Sequence, residues 1–192
     1  MSHRTAFVLL VNQFADWEAA SALAELQRTF EYSVKTMGLT TASPVSMGGL
    51  KITPDLPLSG FVPESASILI LPGGDAWTEG ENPEVSRVLR SMIALNRPVA
   101  SICAATLALA HTGLLDTRLH TSNGAAFIPE HVHAYRGQTM YRRQPCVRDQ
   151  QVITANGLAP FAFAAEIFRA LEPQREEEIA MYERLYSRGL LD

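Results

Sequence analysis

The chain has 192 residues, with 16 basic and 20 acidic side chains, five histidines and two cysteines, for a formal net charge of −4. At 47% apolar and 19% charged residues it reads as one ordinary globular domain and not as a disordered chain. A mildly acidic chain without a basic stripe argues against a nucleic-acid partner, and no apolar run approaches the roughly 18 residues of a membrane span. Met1-Ser2-His3-Arg4-Thr5 leads into an apolar run without a cleavage site, so the expectation is a cytoplasmic protein. Cys103 and Cys146 form neither a CxxC pair nor a zinc pattern, and a reducing cytoplasm disfavours a disulfide.

Residues 6–11 are a continuous apolar run, which suits a strand buried on both faces. Residues 17–29 read as a helix whose apolar spacing selects Trp17, Ala20, Leu23 and Ala24, with Gln27 a candidate for the same face. Residues 32–37 alternate like a second strand. Pro44-Val45-Ser46 and Leu50-Lys51-Ile52 flank Met47-Gly48-Gly49, a hairpin turn. The next apolar strand, 68–71, ends in Pro72-Gly73-Gly74, and a helix follows at 83–95. A strand at 98–102 runs into Cys103; residues 104–112 then read as a helix with Gly113 at its C′ position. Short strands are expected near 118–121, 145–148 and 151–154. Residues 160–171 form an amphipathic helix with proline in its first turn, and Pro173 restarts a terminal helix with Ile179, Tyr182, Leu185 and Tyr186 on one face.

Alternation of apolar strands and helices predicts an α/β fold with a mostly parallel sheet covered on both faces. One domain spans 1–192, with a body at 5–172 and a terminal helix at 173–188. Ligands of such sheets lie at the carboxyl ends of the strands. Three strand ends carry unusual residues: Asp16-Trp17-Glu18, Gly73-Gly74 and Cys103.

Cys103 sits between a strand and an Ala-rich helix, in Ser101-Ile102-Cys103-Ala104-Ala105. Small neighbours permit a sharp strand-to-helix elbow, and free N–H groups at a helix start favour thiolate. The Ala104 amide is placed to meet an oxyanion formed on a substrate attacked by Cys103. An isolated cysteine is otherwise a small buried hydrophobe, and both readings stand on local context. Pro72-Gly73-Gly74 is a tight turn by itself; beside Cys103, the Gly74 amide becomes a candidate second oxyanion donor. Asp16 reads as a helix cap. Glu18, between Trp17 and Ala19-Ala20, is a carboxyl in apolar company, which keeps such a group protonated and able to hydrogen-bond a thiolate.

Four segments occur together in order: Phe14-Ala15-Asp16-Trp17-Glu18, Ile70-Leu71-Pro72-Gly73-Gly74, residues 101–108 followed by Gly113-Leu114-Leu115, and residues 152–157 ending in Asn156-Gly157. In these the chain resembles the ThiJ/PfpI family, which includes the Parkinsonism-associated deglycase and chaperone, within the class I glutamine amidotransferase-like superfamily. The resemblance spans residues 5–172. It implies a flavodoxin-like three-layer α/β/α sandwich and a homodimer. It makes Cys103 the elbow nucleophile or redox-active thiol, Glu18 its protonated partner, and Gly74 and Ala104 the oxyanion donors.

The chain departs from the family pattern at its histidines. Family members carry one directly after the nucleophile, here Ala104, or in a later segment that here reads His120-Thr121-Ser122-Asn123. Asn123 stands at the expected histidine and cannot act as a general base, though it can orient substrate or water. His120 lies three positions early, on the opposite face of an extended segment. His131 and His133 lack a third metal ligand, so no metal is expected. The loop 12–16 lacks a phosphate cradle, so flavin is rejected and no cofactor is expected. Trp77 is a candidate wall of the pocket, and Asp16 a candidate for orienting substrate. Cys146 reads as an inert strand residue.

Two functions follow. One is a cysteine-dependent hydrolase or lyase of amidase, glyoxalase or deglycase type, acting on a small carbonyl or amide compound. The alternative is a non-catalytic, redox-responsive stress protein or chaperone that senses oxidants through Cys103.

Overall fold

The computed structural model describes residues 4–191; residues 1–3, read above for an export signal, and 192 lie outside the described residues. The first apolar run becomes β1 (Thr5–Leu10), and Ala6, Val8 and Leu9 have no solvent exposure. It lies inside a seven-stranded sheet of order β3-β2-β1-β4-β5-β7-β6. The remaining strands are β2 (Ser33–Gly38), β3 (Leu56–Pro57), β4 (Ile68–Leu71), β5 (Val99–Ile102), β6 (Cys146–Asp149) and β7 (Val152–Ala155). All pairings are parallel except β6 with β7, a hairpin at the sheet edge.

The period of two along buried strands divides the core into two layers. Phe7, Leu9, Leu69, Leu71 and Val99 face α2 (Pro83–Ala94) and α3 (Thr106–His111). Ala6, Val8, Ile70, Ile102 and Ile153 face α1 (Asp16–Arg28) and α5 (Pro160–Leu171). This is the flavodoxin-like three-layer α/β/α arrangement. The short α4 (Phe127–His131) follows the 120s segment, and α6 (Glu176–Arg188) docks on α5 through the fully buried Ile179. Arg169 of α5 holds α6 by ion pairs to Glu176 and Glu183.

Local signals explain the boundaries. Asn82 caps α2, its side-chain oxygen accepting from the amides of Glu84 and Val85, with Pro83 at the first position. Gly113 adopts φ +75 after α3, the left-handed stop expected there. The 44–52 turn closes as a hairpin, with the Ser46 and Leu50 backbones paired and Val45 bridged to Lys51. Among the described residues no helix is long and apolar enough to cross a membrane.

Three expectations are corrected. Residues 118–121 do not form a strand: their amides go to the Asp149 carboxylate, the Met140 carbonyl and the Thr154 hydroxyl, leaving one isolated bridge between His120 and Tyr141. The helix expected from 104 begins as a 3-10 turn at Cys103–Ala105 and becomes α-helical only at Thr106. The inner face of α1 is turned by one residue. Glu18, Ala19, Ala22 and Leu26 are buried, while Trp17 is 53% exposed. Hydropathy assigns tryptophan inward and glutamate outward; the buried partner waiting for Glu18 reverses that order.

Candidate active site

Cys103 is the first residue after β5 and has φ +59, the left-handed region that a side chain rarely adopts. Such a conformation costs about 1–3 kcal/mol and survives only where the surroundings impose it. Thr106 imposes it from below. Its hydroxyl donates to the Cys103 carbonyl oxygen at 2.7 Å and shares a 2.6 Å hydrogen bond with the Ser122 hydroxyl. One threonine therefore ties the elbow to the segment that carries Asn123.

Glu18 reaches the elbow from the first turn of α1 and is 1% exposed. The Gly73 amide donates to Glu18 Oε2 at 2.6 Å, and the carboxyl also hydrogen-bonds the Cys103 thiol. Glycine is required at 73 because a Cβ there would stand 2.6 Å from Glu18 Oε2 and 2.8 Å from Cys103 Cβ. Gly157 closes the other side: a Cβ would lie 2.9 Å from Cys103 Sγ and 3.1 Å from Glu18 Oε1. The thiol and carboxyl thus share a slot between two glycine backbones.

Burial raises the pKa of both groups. It raises Glu18, opposed by the Gly73 amide, and pushes the Cys103 thiol up to about 11, with ionised Glu18 acting in the same direction. The N–H groups around the sulfur act in the opposite direction, toward the thiolate. The Asn123 side-chain amide donates to Cys103 Sγ at 3.1 Å, and the Ala104 backbone amide also donates to it. Asn123 is held the right way round because its Oδ1 accepts from the Gly157 amide at 3.0 Å. These donors lower the thiol's pKa, and burial outweighs them.

The pair lies at the floor of an open cleft of about 780 Å³. Its lining includes Trp17, Thr121, Ser122, Asn123, Tyr141, Arg143, Asn156, Gly157 and Leu158. The structure thus brings Cys103, Glu18 and Asn123 together. Ala104 supports the sulfur from beneath. Gly74 is bridged to Phe14 through hydrogen bonds made by Ala15 and Asp75, which leave its own amide uncommitted by that bridge. It is Gly73, its neighbour, that supplies an amide to Glu18.

Two expected residues fall elsewhere. Trp77 is 5% exposed, packed in the core beside α2, with its indole N–H donating to the Pro72 carbonyl at 2.9 Å. It walls no part of the cleft; Trp17 does. Asp16 turns away to the 44–52 hairpin, where the Ser46 hydroxyl and the Gly48 amide hold its carboxyl below the usual carboxylate range. It positions the hairpin and is not among the residues lining the cleft. Gly157, Thr106, Tyr141 and Arg143 were not assigned roles from sequence. Asn156-Gly157 following a strand was a usable signal for the first; nothing local marks the others.

His120 is fully buried on the far side of its segment. Its Nδ1 bonds the Arg118 carbonyl and its Nε2 the Tyr135 hydroxyl, and burial lowers its pKa, so it is a neutral structural histidine. Among the described residues no histidine lines the cleft, and no group of three or more His, Cys, Asp or Glu is placed to hold a metal ion. Cys146 lies in β6, its thiol raised chiefly by burial.

Residues 4–170, which include the cysteine elbow and its buried glutamate, match a known family model, the DJ-1/PfpI family. The chain belongs to the DJ-1/PfpI family. Two relatives from Bacillus subtilis carry the name uncharacterized protease. YoaZ is 33% identical over 90% of this chain and 85% of its own length, and YdeA is 30% identical over 92% and 87%. Among solved structures, a thiJ/pfpI family protein from Bacillus anthracis superposes with TM-score 0.89 at 33% identity, covering 95% of this chain and 90% of that one. A DJ-1 superfamily protein from Agrobacterium tumefaciens gives TM-score 0.85 at 34% identity over 95% and 98%.

Proposed function

We propose that this DJ-1/PfpI protein is a cysteine-dependent enzyme whose Cys103 thiolate adds to a small carbonyl compound. The observation that carries the reading is the hydrogen-bonded Glu18–Cys103 pair at the floor of an open cleft. In the addition step the sulfur forms a bond to the carbonyl carbon. The carbonyl π electrons move to oxygen, and Glu18 gives that oxygen its proton, leaving a thiohemiacetal and a carboxylate. The amides of Gly74 and Ala104 are the proposed donors to the developing oxyanion. Among the described residues Glu18 is the one carboxyl group of the cleft, with no histidine beside it. A single acid–base group suits reversible addition and proton transfer, as in glyoxalase or deglycase chemistry. Amide cleavage needs a proton donor for the departing amine and then a base for water. The amidase branch of the proposal is therefore the weaker one.

The proposal takes the chain as one functional domain, terminal helix included, acting as a homodimer. The apolar rim formed by Trp17, 53% exposed, and Leu158, 96% exposed, supports burial of this edge in an assembly. The test is turnover of methylglyoxal and of small amides by the wild type, Cys103→Ala and Glu18→Gln. Loss of turnover in both variants is expected; equal turnover by wild type and Cys103→Ala overturns the reading.

A second reading is favoured by the same missing histidine. A thiolate with the Asn123 and Ala104 N–H groups and a carboxyl proton around it is also suited to hold a sulfenate or sulfinate. Peroxide titration followed by intact mass tests it, and fails it if the methionines gain oxygen before Cys103 does.

A further inference from the structure

The cleft walls contain one feature that Cys103 chemistry does not use. Tyr141, Arg143, Gln144 and Pro145 form one wall, and the backbone on both sides of Arg143 is pinned. The Arg142 amide donates to the His120 carbonyl at 2.7 Å, and the Gln144 carbonyl accepts from the Thr121 hydroxyl at 2.9 Å. The Pro145 carbonyl accepts from the Asn156 amide at 3.1 Å. Two adjacent arginines then have opposite fates. Arg142 spends its guanidinium on the carbonyls of Thr139 and Tyr141, at 3.0 and 2.9 Å. Arg143 lines the cleft and, among the described residues, has neither a hydrogen bond nor an ion pair to the rest of the chain.

Among the described residues Arg143 is the one basic side chain of the lining, and the one acidic side chain, Glu18, is already committed to the Gly73 amide and Cys103. The other polar lining groups, among them Thr121, Ser122, Asn123 and Tyr141, are neutral. A guanidinium held on a pinned wall with its donors free is a forked site for a carboxylate.

We propose that the cleft selects a small 2-oxo acid or aldehyde acid, its carboxylate held by Arg143 and its electrophilic carbonyl presented to Cys103. This rests on the reading of Cys103 as a nucleophile toward carbonyl compounds and names its substrate class. The carboxylate stays on the substrate throughout. The sulfur adds to the neighbouring carbonyl carbon and the oxygen takes the Glu18 proton, so the complex gains no net charge at the step. A carboxylate fixed on the wall orients a small molecule that would otherwise tumble in a cleft of about 780 Å³.

The experiment separates binding from chemistry. Pyruvate and pyruvamide share shape and carbonyl group and differ in charge. Their binding to Cys103→Ala protein, where no adduct can form, is measured by NMR titration, together with Cys103→Ala/Arg143→Gln and Cys103→Ala/Arg143→Lys. Pyruvate is expected to bind at least tenfold more tightly than pyruvamide. The preference should vanish with Arg143→Gln, return in part with Arg143→Lys, and shrink as salt is raised. Equal binding of the two compounds, or a preference that survives Arg143→Gln, overturns the proposal. If neutral aldehydes are turned over through Cys103 while pyruvate is not preferred, the charge selection alone is refuted. If pyruvate is held through Arg143 but no compound is turned over, the selection stands and the nucleophile reading falls.

Discussion

Gly157→Ala is the sharpest probe of the Cys103–Glu18 slot, because the backbone at 157 is outside the left-handed region and the substitution is purely one of space. The new methyl carbon would lie 2.9 Å from Cys103 Sγ, 3.1 Å from Glu18 Oε1 and 3.2 Å from Cys103 Cβ. Ordinary contacts between buried atoms lie at about 3.5–4.0 Å, so the sulfur or the methyl must yield by roughly 0.6–1.1 Å. Overpacking of this kind costs about 1–3 kcal/mol. Replacing glycine by alanine returns about 0.4–1 kcal/mol through the unfolded chain, leaving a net loss of up to about 2.6 kcal/mol. At about 2–4 °C per kcal/mol for a chain of this size, Tm should fall by up to about 10 °C. In a Cys103→Ala background the shortest contact is gone, so the same substitution should cost at least about 1 kcal/mol less, the coupling a double-mutant cycle reads. Alkylation of Cys103 by iodoacetamide should slow at least tenfold in Gly157→Ala, since the displaced sulfur loses its Asn123 and Ala104 donors. An equal Tm loss in both backgrounds, with unchanged alkylation, would refute the assignment of Gly157 as the wall of the slot.

The pair also has a pH signature. Burial raises Glu18 above its ordinary value of 4.5, so the folded protein holds this proton more tightly than the unfolded chain does. The stability it contributes is complete below that value and is lost as pH rises toward the raised one. The Tm of wild type should therefore decline relative to Glu18→Gln as pH rises from about 4 to 8; a constant difference would contradict a buried, protonated Glu18. Asn123→Ala removes a donor that lowers the thiol, so the pH midpoint of Cys103 alkylation should move upward, and a midpoint that stays put would remove Asn123 from the site. Thr106→Val strands the Ser122 hydroxyl and frees the Cys103 carbonyl. It should cost about 1–3 kcal/mol in a denaturant melt and slow alkylation, whereas stability loss with unaltered Cys103 reactivity would make Thr106 a packing residue only.

The strand-to-elbow pattern around Cys103 was legible in the sequence because it is a local property. An apolar strand such as 99–102 has no choice but the sheet, and small residues on both sides of a cysteine allow the turn that strains it. The parallel α/β architecture was legible for the same reason, through the periods of strand and helix. Glu18 was legible as a carboxyl in apolar company. The hydropathy of its helix nevertheless pointed the wrong face inward, because a moment sums side chains and has no knowledge of the Gly73 amide that Glu18 meets. The two tryptophans exchanged roles on the same ground. Trp77 found a carbonyl inside the core and Trp17 was left on the rim.

What the sequence determined by itself was the chemistry present: one cysteine on an elbow, one acid in apolar company at the start of a helix, and no histidine where a base was expected. What only the tertiary structure decided was the geometry that gives these residues their states. Gly73 and Gly157 come from strand ends far apart in the chain, and they confine thiol and carboxyl in one slot because neither has a Cβ. Arg142 and Arg143 are indistinguishable as neighbours in sequence. They separate only when the wall folds, one turned onto backbone carbonyls and the other, among the described residues, left unpaired in the cleft, because the carbonyls and the cleft are made by segments that no local pattern brings together.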